Sequence, residues 1–265
     1  GYHIVLDVNS GAVHVMEELP FRMLDYLEDS VPDTMPQKLL DELSSQYSRE
    51  EIEENYADLL ELYRSGMLFS SDEYEKFADM MVAAPVKAMC LNVAHDCNLR
   101  CEYCFAAKGD FGCGRMLMPF EVGKKAIDFL IEKSVGRRNL EVDFFGGEPL
   151  MNFDVVKQIV EYARSQEKEH GKNFRFTITT NGLLLTDDKI DFINREMSNV
   201  VLSIDGRKEV NDRLRVRVDG TGCYDKIVPA YQKLVANRSK DKDYYARGTF
   251  TKYNLDFTDD VLHMA

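Results

Sequence analysis

The stretch CNLRCEYC, Cys97 to Cys104, decides how the rest of the chain is read. Its cysteines, Cys97, Cys101 and Cys104, are spaced three residues and then two residues apart. They follow an apolar, strand-like run at 86–94, so they fall on a loop at a strand's C-terminal end, where α/β sheets build their active sites. Closely spaced thiolates from one loop can wrap a compact soft-metal cluster. A cubane cluster takes four ligands, and this loop offers three. Either a fourth cysteine comes from elsewhere, or one iron stays open for a substrate. An open iron can chelate the amine and carboxylate of an amino acid and pass an electron to a neighbouring sulfonium. The competing reading is a zinc site completed by Cys113 or His95, but zinc motifs usually come as two paired knuckles and only one group is present.

Downstream of this loop, apolar strand-like runs at 140–145, 174–180, 199–204 and 244–250 alternate with helical patterns at about 119–134, 153–169, 187–196 and 224–237. Pro119 suits a first helical turn and Thr186 an N-cap. The alternation implies a parallel sheet covered by helices, either open or closed into a barrel. Polar residues gather where these strands end. FFGGEP brings Gly146, Gly147, Glu148 and Pro149 to the second strand's end, where glycines admit a close backbone approach and a carboxylate can accept from an ammonium group. TTNG, with Asn181, ends the third strand. LSIDG, with Ser203 and Asp205, ends the fourth. Arg247 lies on the fifth, as either a carboxylate partner or half of an interior ion pair.

Upstream, HIVLDV and AVHVM alternate like strands around the turn Asn9-Ser10-Gly11. Helical stretches follow, one after Pro20, one after Pro36 and one from Ser48, where Glu51 completes a capping box. Gly66 is expected to end the third helix, Met67 to Phe69 to form a short strand, and 72–83 to form a linker helix stopped by Pro85. Residues 1–80 hold 19 acidic and 5 basic side chains, a net charge of −14, whereas the remaining 185 hold 27 acids and 28 bases. The acidity therefore belongs to the N-terminal part. It reads as a solvated face or as attraction for a basic partner segment. A total of −13 argues against a nucleic-acid binder. No run of eighteen apolar residues encodes a membrane span. Five of the six cysteines fall within 24 positions, which favours a metal site in a reducing cytosol over a disulfide framework. A cytoplasmic protein is expected. Of the remaining cysteines, Cys90 reads as a buried hydrophobe and Cys223 as structural, and Cys113 stays open between a packed thiol and a redox role.

CNLRCEYC resembles the CxxxCxΦC signature of radical S-adenosylmethionine (SAM) enzymes, with Tyr103 at the aromatic position that packs near the adenine in that family. The resemblance implies a partial (β/α)6 TIM-like barrel, a [4Fe–4S] cluster on Cys97, Cys101 and Cys104, and SAM as cofactor. It also implies that Gly146, Gly147, Glu148 and Pro149 bind the methionine amine, and that Asn181, Ser203, Asp205 and Arg247 make further cofactor contacts. SIDGRKEVNDRLR is similar to the SxDGxxExHDxxR stretch of the SPASM group, whose members carry auxiliary clusters in a C-terminal extension. Asn211 stands where His is usual, and Asp212 and Arg215 match as residues that brace the loop.

IVLDVNSGAVHV, CNLRCEYCFAAKGDFGCG and FFGGEPLMN together look like the maturases of SCIFF peptides (six cysteines in forty-five residues). That resemblance implies three parts: a winged-helix-like leader-recognition domain at 1–70, a linker helix at 71–85, and the barrel at 86–265. It implies that a 5′-deoxyadenosyl radical removes an α-hydrogen from a Cys-rich ribosomal precursor peptide. A cysteine sulfur then bonds to that carbon as a thioether, and an electron leaves through the clusters. The partners implied are the precursor peptide and an electron donor such as flavodoxin or ferredoxin. The start at Gly1, the end inside a helix and the lack of cysteines after Cys223 lead us to expect a fragment, whose parent carries auxiliary [4Fe–4S] clusters in a cysteine-rich C-terminal domain. Two alternatives remain: a sulfatase-maturating (formylglycine-forming) enzyme, and a non-catalytic peptide-binding iron–sulfur scaffold.

Overall fold

Asn9-Ser10-Gly11 sends the chain back on itself with Gly11 at φ +75°, a conformation that costs glycine nothing. In the computed structural model, which describes residues 2–82 and 84–265, the turn joins β1 (His3–Leu6) to β2 (Val13–Met16) as an antiparallel pair, with His3 opposite Met16 and Leu6 opposite Val13. Alternation puts Ile4, Leu6, Val13 and Val15 on one exposed face and turns Val5 and Met16 towards a small core. The Asp7 carboxylate closes the turn. It accepts from the Ser70 hydroxyl and amide and from the Ser10 amide and hydroxyl, and these bonds, Ser70's first, hold it below the ordinary carboxylate range.

Three helices supply the rest of that core: α1 (Glu18–Met23), α2 (Gln37–Leu43) and α3 (Arg49–Arg64), burying Met23, Leu39, Leu43, Ile52 and Leu59. Pro20 lies inside the first turn of α1 rather than before it, where its missing N–H has no helical partner to lose. Ser48 and Glu51 form the expected reciprocal cap of α3. Met67 to Phe69 are not a strand: the Met67 amide donates back to Leu62 at 2.9 Å, closing the helix end, and Phe69 turns at φ +50°. The linker helix is shorter than expected, a 3₁₀ turn at Glu75–Phe77 and α4 (Ala78–Val82). Ala83 lies outside the described residues. This unit, Gly1–Ala84, and the next, Pro85–Ala265, each hold together by their own contacts.

The second unit runs β3 (Ala88–His95), β4 (Met116–Leu117), α5 (Phe120–Lys133), β5 (Asn139–Gly146), α6 (Phe153–His170), β6 (Asn173–Thr180), α7 (Asp187–Glu196), β7 (Met197–Ser203), α8 (Lys208–Leu214), α9 (Tyr224–Ala236), β8 (Asp243–Arg247) and α10 (Phe257–Met264). The sheet order is β4-β3-β5-β6-β7-β8, with all neighbours parallel except the two-residue β4. It is an α/β fold with a mostly parallel central sheet. The parallel strands β3, β5, β6, β7 and β8 all deliver their C-terminal ends to the same rim. Helices α5 and α6 bury Ile127, Leu130, Val156, Ile159 and Val160 among Leu140, Val142 and Phe144 of β5. Gly123 lets α5 close on α6, because a Cβ there would stand 2.2 Å from Ile159 Cδ1. Thr186 occupies the N-cap of α7, but its hydroxyl donates to Asp188 and caps no helix amide. Cys90 is exposed rather than buried, since strand alternation places it on the face opposite Leu91 and Val93.

Phe144 has no exposed surface and stacks on Phe176 at 5.8 Å. Phe144→Ala is expected to cost about 3–5 kcal/mol, read as a lower midpoint in urea unfolding followed by circular dichroism.

Candidate active site

The loop after β3 is held by its own hydrogen bonds and by distant chain. Its residues pair with the chain that follows α8: the Arg100 amide donates to the Val216 carbonyl at 2.7 Å and the Glu102 amide to the Leu214 carbonyl at 3.0 Å, and Leu99 bridges Arg217. Leu99 is buried, fixing the loop from below. Between the second and third cysteines the Tyr103 hydroxyl donates to Asp205 Oδ2 at 2.6 Å and accepts from Arg215 Nη1 at 2.7 Å. Beyond Cys104, Ala107, Lys108 and Phe111 all take positive φ. Such strain persists only where surroundings impose it. Gly109 explains the tightness, for a Cβ there would lie 2.6 Å from the Cβ of Cys97.

One cavity at the strand ends is lined by Cys97, Cys101, Tyr103 and Cys104 of this loop, by Gly146, Gly147 and Glu148 after β5, by Asn181 after β6, and by Ser203, Arg215 and Arg247. Pro149 and Asp205 stand behind its wall. Pro149 is buried at the start of a 3₁₀ turn, Pro149–Asn152, and Asp205 sits under the Tyr103 hydroxyl and accepts the Thr249 amide at 3.0 Å. Arg247 reaches the cavity from an exposed edge strand. Cys113 is exposed, and Cys223 is buried, its thiol donating to the Arg215 carbonyl. Asp212 accepts the Cys223 and Tyr224 amides at 2.8 Å each, which caps α9.

Glu148 is the centre of the polar wall. It is 1% exposed and accepts Leu150 N and Thr180 Oγ1 on Oε1, and Asn181 N on Oε2. Burial nevertheless raises its pKa above the ordinary value, outweighing those bonds. A cation brought beside it would return the carboxylate to its charged form. Gly146 and Gly147 leave no room for side chains: added Cβ atoms would lie 2.4 Å from the Ala94 carbonyl oxygen and 2.1 Å from that of Asp96. The thiols of Cys97 and Cys101 are pushed up to about 12 and about 11, by burial first, so each needs a metal to become a thiolate near neutrality.

A second aromatic set was not legible beforehand. Phe105 and Phe145 line the cavity, 6.3 Å apart and nearly parallel, and Phe105 is 78% exposed at the rim with Phe111 against its edge. Nothing but adjacency to the two motifs marked them. Arg215, read from the sequence as a bracing residue, braces the loop and also lines the cavity, with its Nε buried and without a partner.

The sequence profile of the Radical SAM superfamily matches residues 91–250, and the chain belongs to that superfamily. It is 22% identical over 97% of its length to the radical SAM cyclopropyl synthase TigE of Paramaledivibacter caminithermalis, of which it covers 57%. It is 28% identical over half its length to the cysteine-type anaerobic sulfatase-maturating enzyme of Clostridium novyi, covering 36% of that protein. The solved structure of anSMEcpe with AdoMet and the Cp18Cys peptide shares the fold at a TM-score of 0.58 and 20% identity, over 67% of this chain and 47% of that one. The chain thus spans about a third to three-fifths of the relatives it matches.

A radical SAM domain carries a [4Fe–4S] cluster and SAM, and the residues here fit both. Three cysteines free of disulfides share the cavity with a buried carboxylate and a buried guanidinium that lacks one partner. Among the described residues no three His, Cys, Asp or Glu side chains converge as a single ion would require. Gly147→Ala pushes backbone against backbone, so anaerobically reconstituted Gly147→Ala is expected to hold much less iron than wild type while keeping its circular dichroism. Iron per chain equal to wild type would refute the close approach.

Proposed function

We propose that this chain is the radical-generating and leader-binding part of a peptide maturase that links cysteine sulfur to an α-carbon in a Cys-rich ribosomal precursor. The observation that favours this over sulfatase maturation is the extent of similarity. The match to the cyclopropyl synthase covers 97% of the chain and so takes in the acidic N-terminal unit, which the half-length match to the sulfatase-maturating enzyme leaves without a purpose.

Bound at the cavity, the cluster and SAM supply a carbon-centred radical able to remove a hydrogen atom from the peptide. The chain's own residues bind and orient. Cys97, Cys101 and Cys104 hold the iron. Glu148 receives the methionine ammonium, the one strong donor its buried carboxylate lacks. Asn181 and Ser203 offer an amide and a hydroxyl to the ribose, and Arg247 offers its guanidinium to the carboxylate. Phe105 and Phe145 present an apolar side of the cavity to the substrate. An electron donor of the flavodoxin or ferredoxin kind supplies the reducing electron.

In the N-terminal unit β1 and β2 pair only with each other among the described residues, so each has an outer edge of free backbone donors and acceptors. A leader segment adding as a third strand would satisfy one edge and cover the exposed Ile4, Leu6, Val13 and Val15 face. This is the winged-helix-like recognition role that the sequence resemblance implies for residues 1–70.

Co-expression of the full-length enzyme with its Cys-rich precursor is expected to give a peptide lighter by two hydrogens per linkage, with the linked cysteines protected from alkylation. Conversion of a cysteine to formylglycine would overturn the thioether reading in favour of sulfatase-type chemistry. The acidity of residues 1–80 makes a second expectation. A Lys-rich leader peptide binds the protein more weakly at high salt than at low salt, as fluorescence anisotropy would report. Affinity indifferent to salt would exclude charge steering.

A further inference from the structure

The cavity holds one buried cation. Arg215 is 7% exposed, whereas Arg247 is exposed on the edge strand. Among the described residues the other buried cation is Lys172, bonded to the Val135 and Arg137 carbonyls ahead of β5, at the opposite end of the sheet. Arg215 reaches the cysteine loop at its midpoint, donating to the Tyr103 hydroxyl between Cys101 and Cys104. Backbone pairing on either side of it, Leu214 to Glu102 and Val216 to Arg100, holds the guanidinium in that place. Its counter-charge is incomplete. Asp205 Oδ1 is 4.0 Å away, at the limit of an ion pair, and the Asp205 carboxylate is shared with Tyr103 and the Thr249 amide. The Arg215 Nε has no partner.

A cation in this position has an electrical consequence. Reduction adds one electron to an iron–sulfur cluster that is already negative with its thiolates. In a dry, low-dielectric wall a nearby positive charge stabilises the reduced form more than the oxidised one. Charges and hydrogen bonds around a cluster tune its potential along with its ligands. Arg215 and Cys101 line the same cavity, and the guanidinium is buried in its wall.

We infer that Arg215 is a positioning residue that tunes the cluster: its buried charge, aimed through Tyr103 at the loop between Cys101 and Cys104, raises the reduction potential of the [4Fe–4S] centre. The inference rests on membership of the radical SAM superfamily and does not depend on which peptide is modified.

The test is an anaerobic redox titration of the reconstituted full chain, with dithionite as the reductant, followed by the electron paramagnetic resonance of the reduced cluster. Iron content is measured on the same samples. Arg215→Gln at wild-type iron content is expected to titrate at a more negative potential, and Arg215→Lys close to wild type. Tyr103→Phe, which keeps the charge and loses the tether, is expected to shift less than Arg215→Gln. An unchanged midpoint in Arg215→Gln overturns the inference. If Arg215→Gln fails to take up iron, Arg215→Lys decides: a fully loaded cluster at the wild-type potential supports the role of charge. A negative shift or a failure to load shows that the role is geometric and overturns it. A thioether-negative peptide assay would leave this result untouched, so the two readings fail separately.

Discussion

The cysteine loop depends on a clasp from far along the chain. Residues 99–102 lie against 214–217 through two backbone hydrogen bonds and a β-bridge, and the Tyr103 hydroxyl is held between Asp205 and Arg215. Without that clasp, Cys97, Cys101 and Cys104 would sit on a strained loop with no fixed spacing. With it, the loop is tied to the segment that follows β7, and β7 is tied to β6 and β5 by parallel pairing. The placement of Cys104, Glu148 and Asn181 thus follows from sheet geometry. Rigid support of this kind is what a site needs if its parts must agree to a fraction of an ångström.

Parallel pairing also explains why the polar residues come where they do. Side chains alternate along a strand, so a register slip of one residue would turn Phe144 and Phe176 out of the core. The apolar alternation of β5 and β6 therefore fixes which residues come last. On β5 the last are Gly146 and Gly147, whose bare backbones pack against Ala94 and Asp96. On β6 they are Thr180 and Asn181, both of which donate to Glu148. The hydrophobic core and the carboxylate cradle come from the same register.

Much of this was legible in the sequence. The parallel strands from 86 onward were placed within a few residues of β3, β5, β6, β7 and β8, because long apolar runs bounded by polar ends admit few alternatives. The three cysteines and the Gly-Gly-Glu turn were legible because each is contiguous. What was missed is either short or distant. A two-residue strand such as β4 has no periodicity to detect, and α8 is only seven residues long. Met67 to Phe69 looked like a strand because its residues are apolar, but the preceding helix had already claimed the Met67 amide. Arg215 could be read as a brace, yet its place in the cavity follows from a contact with Tyr103 across 112 positions, which no local pattern encodes.

The two units meet opposite physical demands. A radical-generating cavity must be dry and rigid, and the Pro85–Ala265 unit answers with a large buried core, a carboxylate closed off from water and a loop pinned at several points. A surface that captures a flexible leader, the role proposed for the first unit, would do the reverse and leave backbone groups and apolar side chains unsatisfied until the peptide arrives. The Gly1–Ala84 unit has that character. Its core is small, one face of its hairpin is exposed, and residues 1–80 carry a net charge of −14 against −13 for the whole chain. In the function proposed here, that acidity would draw a basic leader, while the Pro85–Ala265 unit, near neutral in sum, holds Arg215 buried in the wall of the cysteine cavity.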